Sequence, residues 1–447
     1  MFAAPRFIAI DDNPDHLAAI VKAIHSLGTT CFGINYDGSS QLDAAPFVHV
    51  RCLFTDLHLL SGIASTNEHM HYALIAQILE TTINRSGGPF ILVVWTDFAD
   101  RCHELREYLE THLIGDCVHA RPLAVLGLSK ATFINPTDNT VSDPKKLEEA
   151  VRNVVASIPQ LAALIEWEEN VLAAAGATLA TLINLVPESK RINAQYASEL
   201  DTILSRLACE AIGKHHVATD PRGAITQALV PILADRILNQ EESEAPDIWK
   251  AAITKHGSRP VDPASPEEAG QLNRMLHLAL PEVEHFAPAD WGAVTAWPYE
   301  WSRTAIMPLL GLTGDQMLGS EFKIDAVDRD RCAPRLVRIG AACDYTQNRS
   351  GPITYLFGME IPEDAKRKTD KDGHTLRMTD AIWQSPLFVT PSVANPFRLH
   401  VHFRFSINLL PTAVTAWAAT YRLREQLLMQ LITTASVYSS RPGIVRF

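Results

Sequence analysis

Aromatic residues are scarce, 7% of 447 positions, and the seven cysteines (31, 52, 102, 117, 209, 332, 343) never fall in a C-x-x-C pair. An odd, scattered set of thiols argues against a disulfide scaffold or a zinc ribbon and fits a reducing compartment. Long apolar runs are missing too. The longest uncharged stretch, 171–186, is diluted by Gly176, Thr178, Thr181 and Asn184 and is too short and polar to span a bilayer. The N-terminus meets Asp11-Asp12 too early for a signal peptide, so the expectation is a cytoplasmic protein with no membrane partner. Positive charge is in deficit: 39 basic against 51 acidic side chains leave −12, which repels phosphate backbones and disfavours nucleic acid. No Gly-rich phosphate loop, nucleophile elbow or H-E-x-x-H stands in the chain, and no internal repeat. A hydrophobic share of 47% in a chain this long is still ample for the cores of two or three domains.

Short apolar runs alternate with helical periodicity up to about residue 158. The runs are FIAI (7–10), TTCFGI (29–34), RCLFT (51–55), FILVVWT (90–96) and LAVLGL (123–128). Between them lie a helix opened by Asn13-Pro14, helical stretches over 72–84 and 98–113, and a last helix capped by Asp143 with Pro144 at its first position. Five apolar strands, each followed by a helix, predict a parallel sheet covered on both faces. Residues 159–292 read as a helical domain or linker, with a cap at Ser265 opening a helix through Glu268. From 293 to 447 strand-like runs return, predicting a mixed α+β domain with an exposed hairpin or loop at 363–374 and a closing helix over 414–437.

In a doubly wound sheet, functional groups collect at the carboxyl ends of the strands. Strand 1 ends in Asp11 and Asp12, strand 3 in Asp56, strand 4 in Thr96, and strand 5 runs into Ser129 and Lys130. Three carboxylates converging on one rim repel unless a cation neutralises them, and an all-oxygen set suits Mg²⁺. A lysine and a hydroxyl at the same rim are what an acyl phosphate on a carboxylate needs.

With those residues in order, the first 158 positions resemble the receiver domain of two-component response regulators, a flavodoxin-like fold. The resemblance implies that Asp56 is the phosphoacceptor and a histidine kinase the donor. It implies that Asp11, Asp12, Asp56 and the backbone carbonyl of His58 hold Mg²⁺, that Thr96 is the switch hydroxyl, and that Lys130 contacts the phosphoryl group. The run Asp56 to Gly62 resembles the loop after the acceptor, with Leu60 in place of the usual proline. There are departures: Ala131 follows Lys130 instead of proline, Gly127 replaces an aromatic three positions before it, and Asp97 follows Thr96 where a small residue is usual. The resemblance therefore implies a working acceptor with a divergent output switch.

The later strings RIGAACDYTQNRSGP and SSRPG, with the strand-rich layout around them, resemble the C-terminal regions of receiver proteins from bacterial conflict systems. Among these are the receiver-bearing phosphate-sink partners of Detocs-type anti-phage phosphorelays. That resemblance implies a role in regulating or buffering a defence effector.

Other groupings are weaker. His69 and His71 lack a third metal ligand nearby. His400 and His402 alternate on one strand face and could join Cys343 or Asp344, which keeps open a second reading, a receiver-controlled effector enzyme with its chemistry in the C-terminal domain. Trp167 and the apolar residues after it read as a helix packing on the receiver or on a partner chain, which leaves a homodimer open. Six arginines (398, 404, 422, 424, 441, 446) crowd residues 391–447 with Glu425 as the only acid. They read as counter-charge for the acidic front domain or as a solvated face. A DNA-binding regulator is disfavoured, because no helix-turn-helix or aromatic-basic interleaving accompanies them.

Overall fold

The computed structural model describes residues 4–38, 41–60, 68–135, 137, 140–240, 246–255, 263–347 and 350–441, without the side chain of residue 394. The chain divides into two compact units, 1–184 with 232–260, and 185–231 with 261–447.

In the first unit the five apolar runs become β1 (Phe7–Asp11), β2 (Cys31–Asn35), β3 (Cys52–Thr55), β4 (Ile91–Thr96) and β5 (Val125–Ser129). All pair in parallel in the order β2-β1-β3-β4-β5, the flavodoxin-like order. Alternate residues feed two cores. Ile8, Ile10, Leu53, Leu92 and Val94 face α2 (Glu68–Thr82) and α3 (Cys102–His112). Phe7, Ala9, Phe54, Val93 and Trp95 face α1 (Pro14–Ser26), α4 (Pro144–Ala156) and the start of α5 (Pro159–Asn184). Burial on both faces is why the central strands β1, β3 and β4 are apolar rather than alternating, while the edge strands β2 and β5 are only partly buried.

The helix starts follow the sequence. Asn13 accepts from the backbone N–H groups of Asp15 and His16 at 2.9 and 3.4 Å, and Asp143 from that of Lys146 at 3.2 Å. One expectation fails: β2 is followed by a five-residue 3₁₀ helix, Ala45–His49, and not by an α-helix. The sixteen-residue connection to β3 carries Gly38 in a left-handed backbone (φ 74°) and Pro46, both of which interrupt helical propagation. Helix α5 packs on α4 through Leu161 and Ile165, and its Glu168 pairs with Arg51 at 2.6 Å and Arg6 at 3.3 Å. Trp167 is not buried with them; it stands half exposed.

The second unit holds a seven-stranded antiparallel sheet. Its strands are β6 (Leu278–Ala279), β7 (Ala293–Ala296), β8 (Ala333–Ile339), β9 (Ile353–Pro362), β10 (Ile382–Thr390), β11 (Val393–Leu409) and β12 (Ala419–Leu423), in the order β10-β11-β9-β8-β7-β12-β6. Ser265 opens a helix, Pro266–His277, through a complete capping box with Glu268. The 363–374 segment turns back as expected: Thr369 bridges Thr375, and Asp370 caps the tip by accepting from Asp372 and His374. The predicted closing helix over 414–437 is shorter. Pro411–Val414 form a 3₁₀ turn, 419–423 are strand β12, and the helix runs from Glu425 to Ser439. Tyr421 and Leu423 bury themselves in the sheet by pairing with β7 and β6, a long-range gain that overrides the alanine-rich local signal. Among the described residues no helix is long and apolar enough to cross a membrane.

Candidate functional site

The carboxyl edge of the parallel sheet gathers the polar groups that the strand ends carry. Asp11 is the last residue of β1. The N–H of Asp56 donates to Ile10 O at 3.1 Å and so holds Asp56 just beyond β3. Thr96 ends β4 opposite Ser129 of β5, and Lys130 comes next. Lys130 is 2% exposed, and its Nζ lies 2.8 Å from Asp11 Oδ2 and 2.7 Å from Asp56 Oδ2. Asp11, 1% exposed, also accepts from the N–H of Asn13 at 2.9 Å. Burial pushes the Asp11 carboxyl pKa up; the Lys130 ammonium opposes that shift and the nearby Asp56 adds to it. Thr96 is fully buried, with its Oγ1 accepting weakly from the N–H of Phe98.

Asp11, Asp12 and Asp56 each bring a carboxylate oxygen within 4.8 Å of the others, so the three can hold a metal ion. Two carboxylates sharing one lysine, with a third beside them, leave excess negative charge that a hard divalent cation fits. His58 also lies at this edge, its N–H reaching Asp56 Oδ1 at 3.4 Å. Its imidazole turns to Glu68 (Nε2 to Oε2, 3.1 Å), which in turn pairs with Arg101. The ring sits edge-on to Phe98 and to His71. The sequence reading missed Glu68 and Arg101, which lie ten and thirty-three or more positions from their partners and follow no local pattern.

After β5 a 3₁₀ turn over Lys130–Thr132 redirects the chain, with the N–H groups of Phe133 and Ile134 returning to Lys130 O. A Cβ on Gly127 would stand 2.9 Å from Ala99 O and 3.0 Å from Cys102 Sγ, so the turn before α3 packs where any side chain would need space. Gly127→Ala is expected to cost about 1–3 kcal/mol in urea unfolding, because backbone and not a flexible side-chain end must yield; an unchanged midpoint refutes this crowding. Asp97 is exposed at the rim. Ser61 and Gly62, the end of the loop after Leu60, lie outside the described residues.

The remaining candidates separate. His69 and His71 fall in the first turn of α2 and diverge: His69 is exposed, while His71 is buried, its pKa lowered mainly by burial and then by His58. His400 and His402 do share a face of β11 but are taken up in the core. His400 meets Arg367 at 3.3 Å, and burial lowers its pKa to about 3; His402 meets Glu321 at 2.9 Å, and burial lowers its pKa as well. Cys343 and Asp344 sit on the exposed helix Ala342–Thr346. Among the described residues only Asp11, Asp12 and Asp56 form a group able to hold a metal. The arginines of the last strands and helix find acids within their own unit while several stay largely exposed to solvent. Arg398 pairs with Glu363, Arg404 with Glu321, Arg422 and Arg424 with Glu284, and Arg441 with Asp380, all within the second unit. Arg446 lies outside the described residues.

Compared with known proteins, the chain matches no family model, no curated protein and no solved structure.

Proposed function

We propose that the first unit is a phosphorelay receiver that accepts a phosphoryl group on Asp56 from a histidine kinase. The observation that carries this reading is the Asp11–Lys130–Asp56 cluster, with Asp12 beside it and Thr96 at the next strand end, all on one sheet edge. In the proposed step an Asp56 carboxylate oxygen bonds to phosphorus as the P–N bond of the kinase phosphohistidine breaks, and the bonding pair leaves with the imidazole nitrogen. Lys130, already on Asp56, follows one phosphoryl oxygen and stabilises its charge. Asp11, Asp12 and Asp56 would hold Mg²⁺, with the His58 carbonyl as a further ligand, and the ion would supply charge neutralisation.

The test is intact mass after incubation with Mg²⁺ and a small-molecule phosphodonor. Gain of one phosphoryl group supports the reading, and failure with both that donor and a cognate kinase overturns it. Asp97 adds negative charge at the rim, so Asp97→Ala is expected to speed uptake several-fold; an unchanged rate removes Asp97 from the account.

We propose further that this uptake regulates or buffers an anti-phage defence effector. The support is the resemblance of the C-terminal strings alone. Neighbouring genes that encode neither a kinase nor an effector would sink it. The reading as a receiver-controlled effector enzyme loses its main ground, since Cys343, Asp344, His400 and His402 do not assemble into a metal-holding group among the described residues.

A further inference from the structure

We propose that the second unit carries a binding site for a phosphate-type oxyanion, held between Arg329 and Lys368 over Gly319. Three features meet there. Met317–Glu321 form a single π-helical turn, a rare form concentrated at functional sites. Just after it, Lys323 holds φ 57°, a left-handed backbone that a non-glycine residue keeps only where its surroundings impose it. A Cβ on Gly319 would stand 2.9 Å from Lys368 Nζ and closer still to Arg329 Nη2, so the two cationic heads fill the place a side chain would take and lie side by side over the glycine.

Their partners do not account for this convergence. Arg329 directs Nη1 to Asp315 at 3.0 Å and Nε to Ile324 O at 3.4 Å, while Asp315 also serves Arg303 at 2.5 Å. Arg329 Nη2 and the Lys368 ammonium have no hydrogen-bond acceptor or ion-pair partner among the described residues. Glu321, the one acid on the turn, is engaged with His402. Lys323 Nζ folds onto Ser320 O at 2.6 Å and places a third cation on the same turn. Like charges this close repel unless an anion stands between them, and a guanidinium edge beside an ammonium matches the several acceptor oxygens of a tetrahedral oxyanion.

The test is calorimetric titration of inorganic phosphate into the full chain carrying Asp56→Asn, without Mg²⁺, so that the acceptor edge is silent. One-to-one binding is expected, weakened about tenfold or more by Lys368→Ala and by Gly319→Ala. Gly319 has an ordinary backbone, and an added Cβ would displace only the ends of flexible side chains, so that variant is expected to keep the parent circular dichroism spectrum. Absence of binding, or binding undiminished in both variants, overturns the proposal.

Discussion

Asp56→Asn is expected to take up no phosphoryl group under conditions in which the parent gains one, reducing labelling to background. The amide is nearly isosteric but lacks the carboxylate charge, so its oxygen is too weak a nucleophile to form the P–O bond. Asp56 is partly exposed at the sheet edge, whereas Asp11 is buried beside Lys130, so the acceptor role falls on Asp56. The fold should survive, since Lys130 keeps its 2.8 Å contact with Asp11. Intact mass with Mg²⁺ and a small-molecule phosphodonor reads the outcome directly. Labelling that persists at the parent level would move the acceptor to another residue and remove the central chemical step.

Lys130→Met is expected to destabilise the protein by about 3–5 kcal/mol near neutral pH in Mg²⁺-free buffer, because it strips a buried carboxylate of its cation. Asp11 already has a raised pKa in the fold, with Lys130 restraining the rise. Without Lys130 the pKa should climb further. A group whose folded pKa lies above its unfolded value of 3.8 adds stability that is complete below 3.8 and lost as pH rises through the folded pKa. The deficit relative to the parent should therefore be largest at neutral pH and shrink as pH falls toward 3.8, and Mg²⁺ should restore part of it. Urea unfolding of parent and variant at pH 7 and pH 5 measures both effects. A deficit of equal size at the two pH values would show that lost packing, and not the uncompensated Asp11 charge, causes the loss.

Much of the first unit can be read from residue order, because a strand buried on both faces must be apolar along its length. A parallel sheet then brings the residues just beyond its strands to one edge. Asp11, Asp56, Thr96 and Lys130 each end or follow such a run, so their meeting on one edge is legible in the sequence. The cap residues Asn13, Asp143 and Ser265 are equally legible, because an N-cap acts within three residues of itself. Other features depend on which elements meet, and local pattern does not encode that. The Glu68–Arg101 pair behind His58, the crowding that keeps position 127 a glycine, and the conversion of 419–423 from expected helix to strand β12 all arise from neighbours distant in sequence. The arginines of the last strands and helix look unbalanced in the sequence only because their acids stand at 284, 321, 363 and 380. Residue order thus dictates where apolar runs end and which polar side chains end them. Which charges compensate one another is settled only in the folded chain, because a counter-charge is recruited by proximity in space.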